Sequence, residues 1–173
     1  KLAAVADKIG YPNKWRDYSK LEIRPGDAVG NSVRTREFET AYQLNKIGKS
    51  VDREEWQMSP PTVNAYYDPS MNDINFPAGI LQPAFYDKNA TPATNYGHIG
   101  AVVGHELTHG FDDEGAQFDA HGNLHNWWTP EDKKNFDERT GCVAEEYSQF
   151  TAVGDVKVNG KLTLGENTAD NGG

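Results

Sequence analysis

Two histidines four residues apart, His105 and His109, with Glu106 between them, constrain this chain more than any other feature. Residues i and i+4 share a face only on a helix, where both imidazoles can reach one metal ion. The surrounding stretch fits that demand. From Ala93 to Gly110 the apolar positions Ile99, Val102, Val103 and Leu107 mark one side of a long helix, and Gly110 ends it. Glu106 follows the first histidine directly. Beside a bound ion it stands where a general base is needed, able to take a proton from a water that the metal has acidified.

A metal site built for chemistry takes a third protein donor and leaves one position open. Glu166 and Asp170, in Gly165-Glu166-Asn167-Thr168-Ala169-Asp170, are again four apart and share one face of a last helix expected to begin near Gly165. Glu166 is the candidate third ligand. Asp170 is then the acceptor for the free ring N–H of a ligating histidine, a contact that fixes its tautomer and orientation. Asp112 and Asp113 follow the second histidine. Two readings of them stay open: acceptors for a ligand imidazole, or formers of the loop that ends the helix. His98, His121 and His125 match no motif and read as surface or loop residues. The single cysteine, Cys142, has no internal disulfide partner and reads as a half-buried small residue.

Elsewhere the pattern predicts a helix tail over residues 1–9, ended by Gly10-Tyr11-Pro12, and an amphipathic helix over 31–49. Strands are expected over 62–67 and 73–76, a loop with short extended pieces over 114–128, and a helix capped by Thr129 that runs to about Phe150. Asn159-Gly160 is the strongest hairpin signal, placing a hairpin over 155–164. The whole reads as one α+β domain, with residues 1–60 a mainly helical lead-in and 61–173 the sheet and metal-site helices. A net charge of −9, from 17 basic and 26 acidic residues, with no basic run, excludes a partner bound mainly through phosphates, nucleic acid above all. No apolar run approaches the roughly 20 residues that span a bilayer.

His105–His109 followed by Gly110-Phe111-Asp112-Asp113, together with Glu166–Asp170, resembles the neprilysin and endothelin-converting enzyme family of zinc peptidases, in a bacterial-type form. Asn64-Ala65-Tyr66-Tyr67 and Phe76–Pro83 also look like segments of that family, in the same order. The resemblance covers about Val63 to Gly173. It implies one zinc ion held by His105, His109 and Glu166, with Glu106 as general base and Asp170 orienting a ligand histidine. It further implies that Asn64 and Ala65 lie on an edge strand that grips the backbone of a peptide substrate, by strand addition. The fold it implies is a zincin-like, thermolysin-like catalytic core with a small mixed sheet. The location it implies is outside the cytoplasm, with any membrane contact made through other segments. The family places a further His and an Arg downstream of the third ligand, so the chain reads as a fragment that stops before them. The rival readings are a zinc-binding, catalytically incompetent chain that serves as a peptide-binding module, and a purely structural zinc module.

Overall fold

A computed structural model describes all 173 residues. The chain forms two units, one made of Lys1–Tyr11 with Gln57–Gly173, the other of Pro12–Trp56. The division already departs from a helical lead-in over residues 1–60. After one 3₁₀ turn at Leu2–Ala4 the chain extends into strand β1 (Ala6–Gly10), which joins β2 (Tyr66–Asp68) and β3 (Asp73–Pro77) in a sheet of order β1-β3-β2. Leu2, Val5 and Ile9 have helical spacing, but they form no continuous buried face: only Val5 packs on the core, while Leu2 is 58% and Ile9 63% exposed. Backbone pairing holds it instead, parallel to β3 from Ala6↔Asp73 to Gly10↔Pro77, reinforced by the buried Lys8 Nζ–Asp73 Oδ2 ion pair at 2.6 Å.

In the second unit, helix α1 (Ala28–Leu44) starts three residues before the expected Asn31, because Asp27 Oδ1 accepts from the Gly30 amide and caps it. None of its residues is fully buried. The Arg16 guanidinium takes the place of an apolar partner, lying 3.8 Å from the Tyr42 ring centroid and 2.6 Å from Glu39 Oε2.

In the first unit every residue of β3 is buried, and β2 pairs with it antiparallel from Tyr66↔Asn75 to Asp68↔Asp73. The expected strand from residue 62 is therefore shortened. The 3₁₀ turn Ala78–Ile80 packs on the segment before Tyr66, where Gly79 donates to Pro60 O at 2.8 Å and a Cβ at Gly79 would lie 2.5 Å from the carbonyls of Pro61 and Thr62. Ala65, Ile74, Phe76 and Ile80 form the core.

The helix expected over 93–110 is two helices, α2 (Pro92–Gly97) and α3 (Ile99–His109). They break at His98, where the Ile99 amide bonds the Phe85 carbonyl at 3.0 Å instead of continuing the helical ladder. Ile99, Val102, Val103 and Leu107 of α3 pack on the core, as their spacing predicts. Thr129 caps α4 (Pro130–Tyr147), accepting from the Asp132 amide. The hairpin sits earlier than expected, with β4 (Thr151–Val153) and β5 (Val156–Lys157) turning at Gly154, where φ is +56°. Asn159 and Gly160 serve other ends. Gly160 lies so close to α4 that a Cβ there would meet the Ala144 carbonyl at 2.1 Å, and Asn159 Oδ1 accepts from Leu162 in the turn that leads to α5 (Leu164–Gly172).

Helices α3 and α5 cross at two glycines. A Cβ on Gly104 would sit 2.8 Å from the Gly172 carbonyl, and one on Gly172 would sit 2.0 Å from Thr108 Oγ1. That close approach sets the outer face of α5 against His105. No helix of the chain is long and apolar enough to cross a membrane.

Candidate metal centre

His105 and His109 stand one turn apart on α3, with ring centroids 4.6 Å apart and planes at 87°. Each ring is held by a carboxylate at its inner nitrogen. Asp170 Oδ1 of α5 lies 2.9 Å from His105 Nδ1, and Asp112 Oδ2, just past the end of α3, lies 2.7 Å from His109 Nδ1. A carboxylate facing Nδ1 keeps the proton there, so both Nε2 atoms carry lone pairs. Those two atoms are only 3.0 Å apart. Glu166 Oε2 completes a triangle, 3.5 Å from His105 Nε2 and 3.6 Å from His109 Nε2.

Three electron-rich atoms so arranged repel one another unless a positive charge sits among them. Ligands about 2.1 Å from one tetrahedral ion lie roughly 3.4 Å apart, and the triangle's edges of 3.0, 3.5 and 3.6 Å scatter about that value. The donor set, two imidazoles and one carboxylate, therefore fits a divalent metal with a position left open. Glu166 is the most exposed of the three, its side chain 70% accessible.

Glu106 is the buried residue of α3, 5% exposed. Burial pushes its carboxyl above the usual carboxylate range, a rise moderated by the two histidines. Tyr67 of β2 and Glu106 of α3 face one cleft, so the edge strand meets the histidine-bearing helix here. Asn64, Ala65, His105, Glu106, His109 and Glu166 all line one open cleft of about 530 Å³. Asn64 and Ala65 precede β2 rather than lying within it, and Asn64 Oδ1 accepts from the Ala65 amide at 3.0 Å.

Asp112 fills both roles that its sequence position left open. One oxygen holds His109; the other accepts from the amides of Glu114 and Gly115 at 2.9 and 2.7 Å, folding the loop back under α3. Gly115 is required there, since a Cβ would lie 1.8 Å from the His109 carbonyl. The hydrogen bond that His109 donates to Asp112 also raises the His109 pKa above its ordinary value, against the opposing effect of burial. Asp113 does not touch either histidine; its Oδ1 is buried without a partner and desolvation raises its pKa.

Sequence reasoning passed over Tyr67, which lines this cleft, and Asn72, which holds it. Tyr67 donates its hydroxyl to Asn72 Oδ1 at 2.8 Å, and Asn72 donates in turn to the Ala120 carbonyl at 3.1 Å. Asn72 has φ +52°, a conformation for which Asn in a turn is one available signal. His98, His121, His125 and Cys142 stand outside the ligand triangle.

Comparison with known proteins bears directly on this centre. The family model for "Peptidase family M13" matches residues 64–173. An endothelin-converting enzyme homolog of Locusta migratoria is 46% identical over the whole chain, which covers 25% of that protein. Neprilysin-11 of Caenorhabditis elegans is 44% identical, with the chain covering 22% of it, and human endothelin-converting enzyme 1 is 44% identical, with 23% covered. The chain thus spans about a quarter of the length of these relatives. Among solved structures, the Mycobacterium tuberculosis zinc metalloprotease Zmp1 in complex with an inhibitor superposes with a TM-score of 0.93 at 49% identity, over 98% of this chain and 27% of that one. PepO of Lactobacillus rhamnosis gives 0.88 at 43% identity, over 98% and 27%. The mixture of helices and a small sheet is shared with these metalloproteases.

Proposed function

This chain belongs to peptidase family M13, and we propose that its first unit is the metal-binding core of a zinc endopeptidase acting on oligopeptides. The observation that carries this reading is the triangle of His105 Nε2, His109 Nε2 and Glu166 Oε2 in one cleft with the buried carboxyl of Glu106. Zinc is the ion this donor set suits, and when bound it acidifies water and polarises a scissile carbonyl.

The chain's own residues supply the rest. Glu106, buried and with its proton affinity raised, takes the proton of the attacking water and passes it to the leaving amine, so no covalent intermediate forms. Asp170 and Asp112 hold the ligand rings in the tautomer that aims Nε2 into the site. Asn64 and Ala65 continue the line of the edge strand β2 along the cleft, where an extended peptide adds as a further strand. The arrangement supports a zincin-like, thermolysin-like core. Family membership supports a location outside the cytoplasm and peptides as the partners.

Glu106→Gln in the full-length protein tests the reading. It keeps shape and hydrogen-bonding reach but removes the base, so zinc content stays at one ion per chain while kcat falls by about 10²–10⁴-fold. Hydrolysis at the wild-type rate would exclude Glu106 as the base.

A further inference from the structure

Lys1 is tied to the metal centre by a short chain of hydrogen bonds. Its Nζ donates to the carbonyls of Gly115 at 2.5 Å and Phe118 at 2.8 Å, both in the loop that follows α3. The ammonium also lies 5.6 Å from the Phe111 ring centroid, 5.7 Å from that of Tyr67 and 6.0 Å from that of Trp127. Gly115 is the residue whose amide binds one oxygen of Asp112, and the other oxygen of that carboxylate holds His109 Nδ1. The Lys1 carbonyl accepts from Asn72, the residue that also binds the Tyr67 hydroxyl. Tyr67 in turn lines the cleft beside Glu106.

Withdrawing an ammonium from water is unfavourable, and burial lowers the Lys1 pKa, with Asp112 and Asp119 acting in the opposite direction. If the pocket needed only volume, a methionine or leucine would fill it without that cost. What a lysine adds is donors for two loop carbonyls and a positive charge near the Asp112 carboxylate.

We propose that Lys1 is a positioning residue of the metal centre: by gripping the Gly115 and Phe118 carbonyls, it holds Asp112 against His109 and keeps Nε2 of that ring aimed at the other two ligands. The proposal rests on the reading of His105, His109 and Glu166 as ligands. It makes a segment more than a hundred residues upstream in sequence part of the support for the site.

The experiment measures zinc affinity of the full-length protein by competition with a chromophoric chelator, at a temperature where circular dichroism shows every variant fully folded. Lys1→Met, which keeps the aliphatic stem, is expected to weaken zinc binding about tenfold, the scale on which residues behind a ligand act. Because the route runs through Asp112, adding Lys1→Met to Asp112→Asn should change the affinity by less than about twofold. Lys1→Met with wild-type affinity overturns the proposal. So does an equal loss in both backgrounds, which would mark general loosening of the fold. His109→Ala separates the two readings: if it keeps wild-type zinc affinity, the ligand assignment fails whatever Lys1 does.

Discussion

Gly104→Ala sets two effects of opposite sign against each other at the crossing of α3 and α5. In a helix interior, alanine is more favourable than glycine by about 1 kcal/mol. Against that gain, the new methyl group would lie 2.8 Å from the Gly172 carbonyl oxygen and 2.9 Å from the Gly173 Cα, both backbone atoms that no rotamer change can move. Ordinary contact begins at 3.4 Å, so α5 must retreat by about 0.6 Å. Overpacking of this kind costs about 1–3 kcal/mol, which leaves a net destabilisation of roughly 0–2 kcal/mol. The metal centre should suffer more than the fold. Asp170 rides on α5 and lies 2.9 Å from His105 Nδ1; the same retreat takes that contact to the limit of a hydrogen bond. Zinc affinity is expected to fall at least tenfold, or about 1.4 kcal/mol. Chelator competition reads the affinity and thermal melting reads the stability. Gly141→Ala is the control, because a Cβ at that exposed position of α4 meets nothing within 4 Å. It should stabilise by roughly 0.5–1 kcal/mol and leave zinc binding alone. If Gly104→Ala behaves like Gly141→Ala in both assays, the argument from close helix contact is wrong.

Protons compete with zinc for His109, whose pKa the Asp112 carboxylate raises, so affinity should begin to fall while the pH is still above the ordinary histidine value of about 6.5. In Asp112→Asn the fall should begin at lower pH, from a weaker plateau; identical profiles would refute the assignment of Asp112 as the cause. Lys8→Met leaves Asp73, whose side chain is 2% exposed, without its counter-ion, and should destabilise by about 3–5 kcal/mol in denaturant titration. A loss below 1 kcal/mol would show that backbone pairing alone docks β1. Thr129→Ala removes the cap of α4 and should cost about 1 kcal/mol, again by denaturant titration, with no effect on zinc affinity.

What could be read from the sequence was whatever repeats with a local period. The apolar face of α3, the Thr129 cap and the i, i+4 pairs His105–His109 and Glu166–Asp170 are set within single turns, and the structure brings the two pairs together. The features misread are those decided across the chain. Residues 1–9 have helical spacing, yet parallel pairing with β3 and the Lys8–Asp73 pair make Ala6–Gly10 a strand. Asn159-Gly160 carries hairpin chemistry, yet Gly160 is spent on close packing against Ala144, and the turn falls at Gly154. The break at His98 depends on a carbonyl from Phe85, which no window around the helix contains. Asp112 was half legible: its spacing from His109 allowed both a ring contact and a loop role, and only the fold lets one carboxylate serve each with a different oxygen.

The pairing of β1 with β3 also has a bearing on how such a chain can change over generations. With Ala6–Gly10 stitched into the sheet, Pro12–Trp56 is a closed excursion whose two ends are pinned by the unit that holds the metal centre. The entropy of closing such an excursion grows only with the logarithm of its length, about 0.6 kcal/mol for each doubling. Lengthening a turn between residues 12 and 56 therefore adds little to the entropy of closing it. Loss of β1 itself would unpin the excursion and release Lys1 together with it.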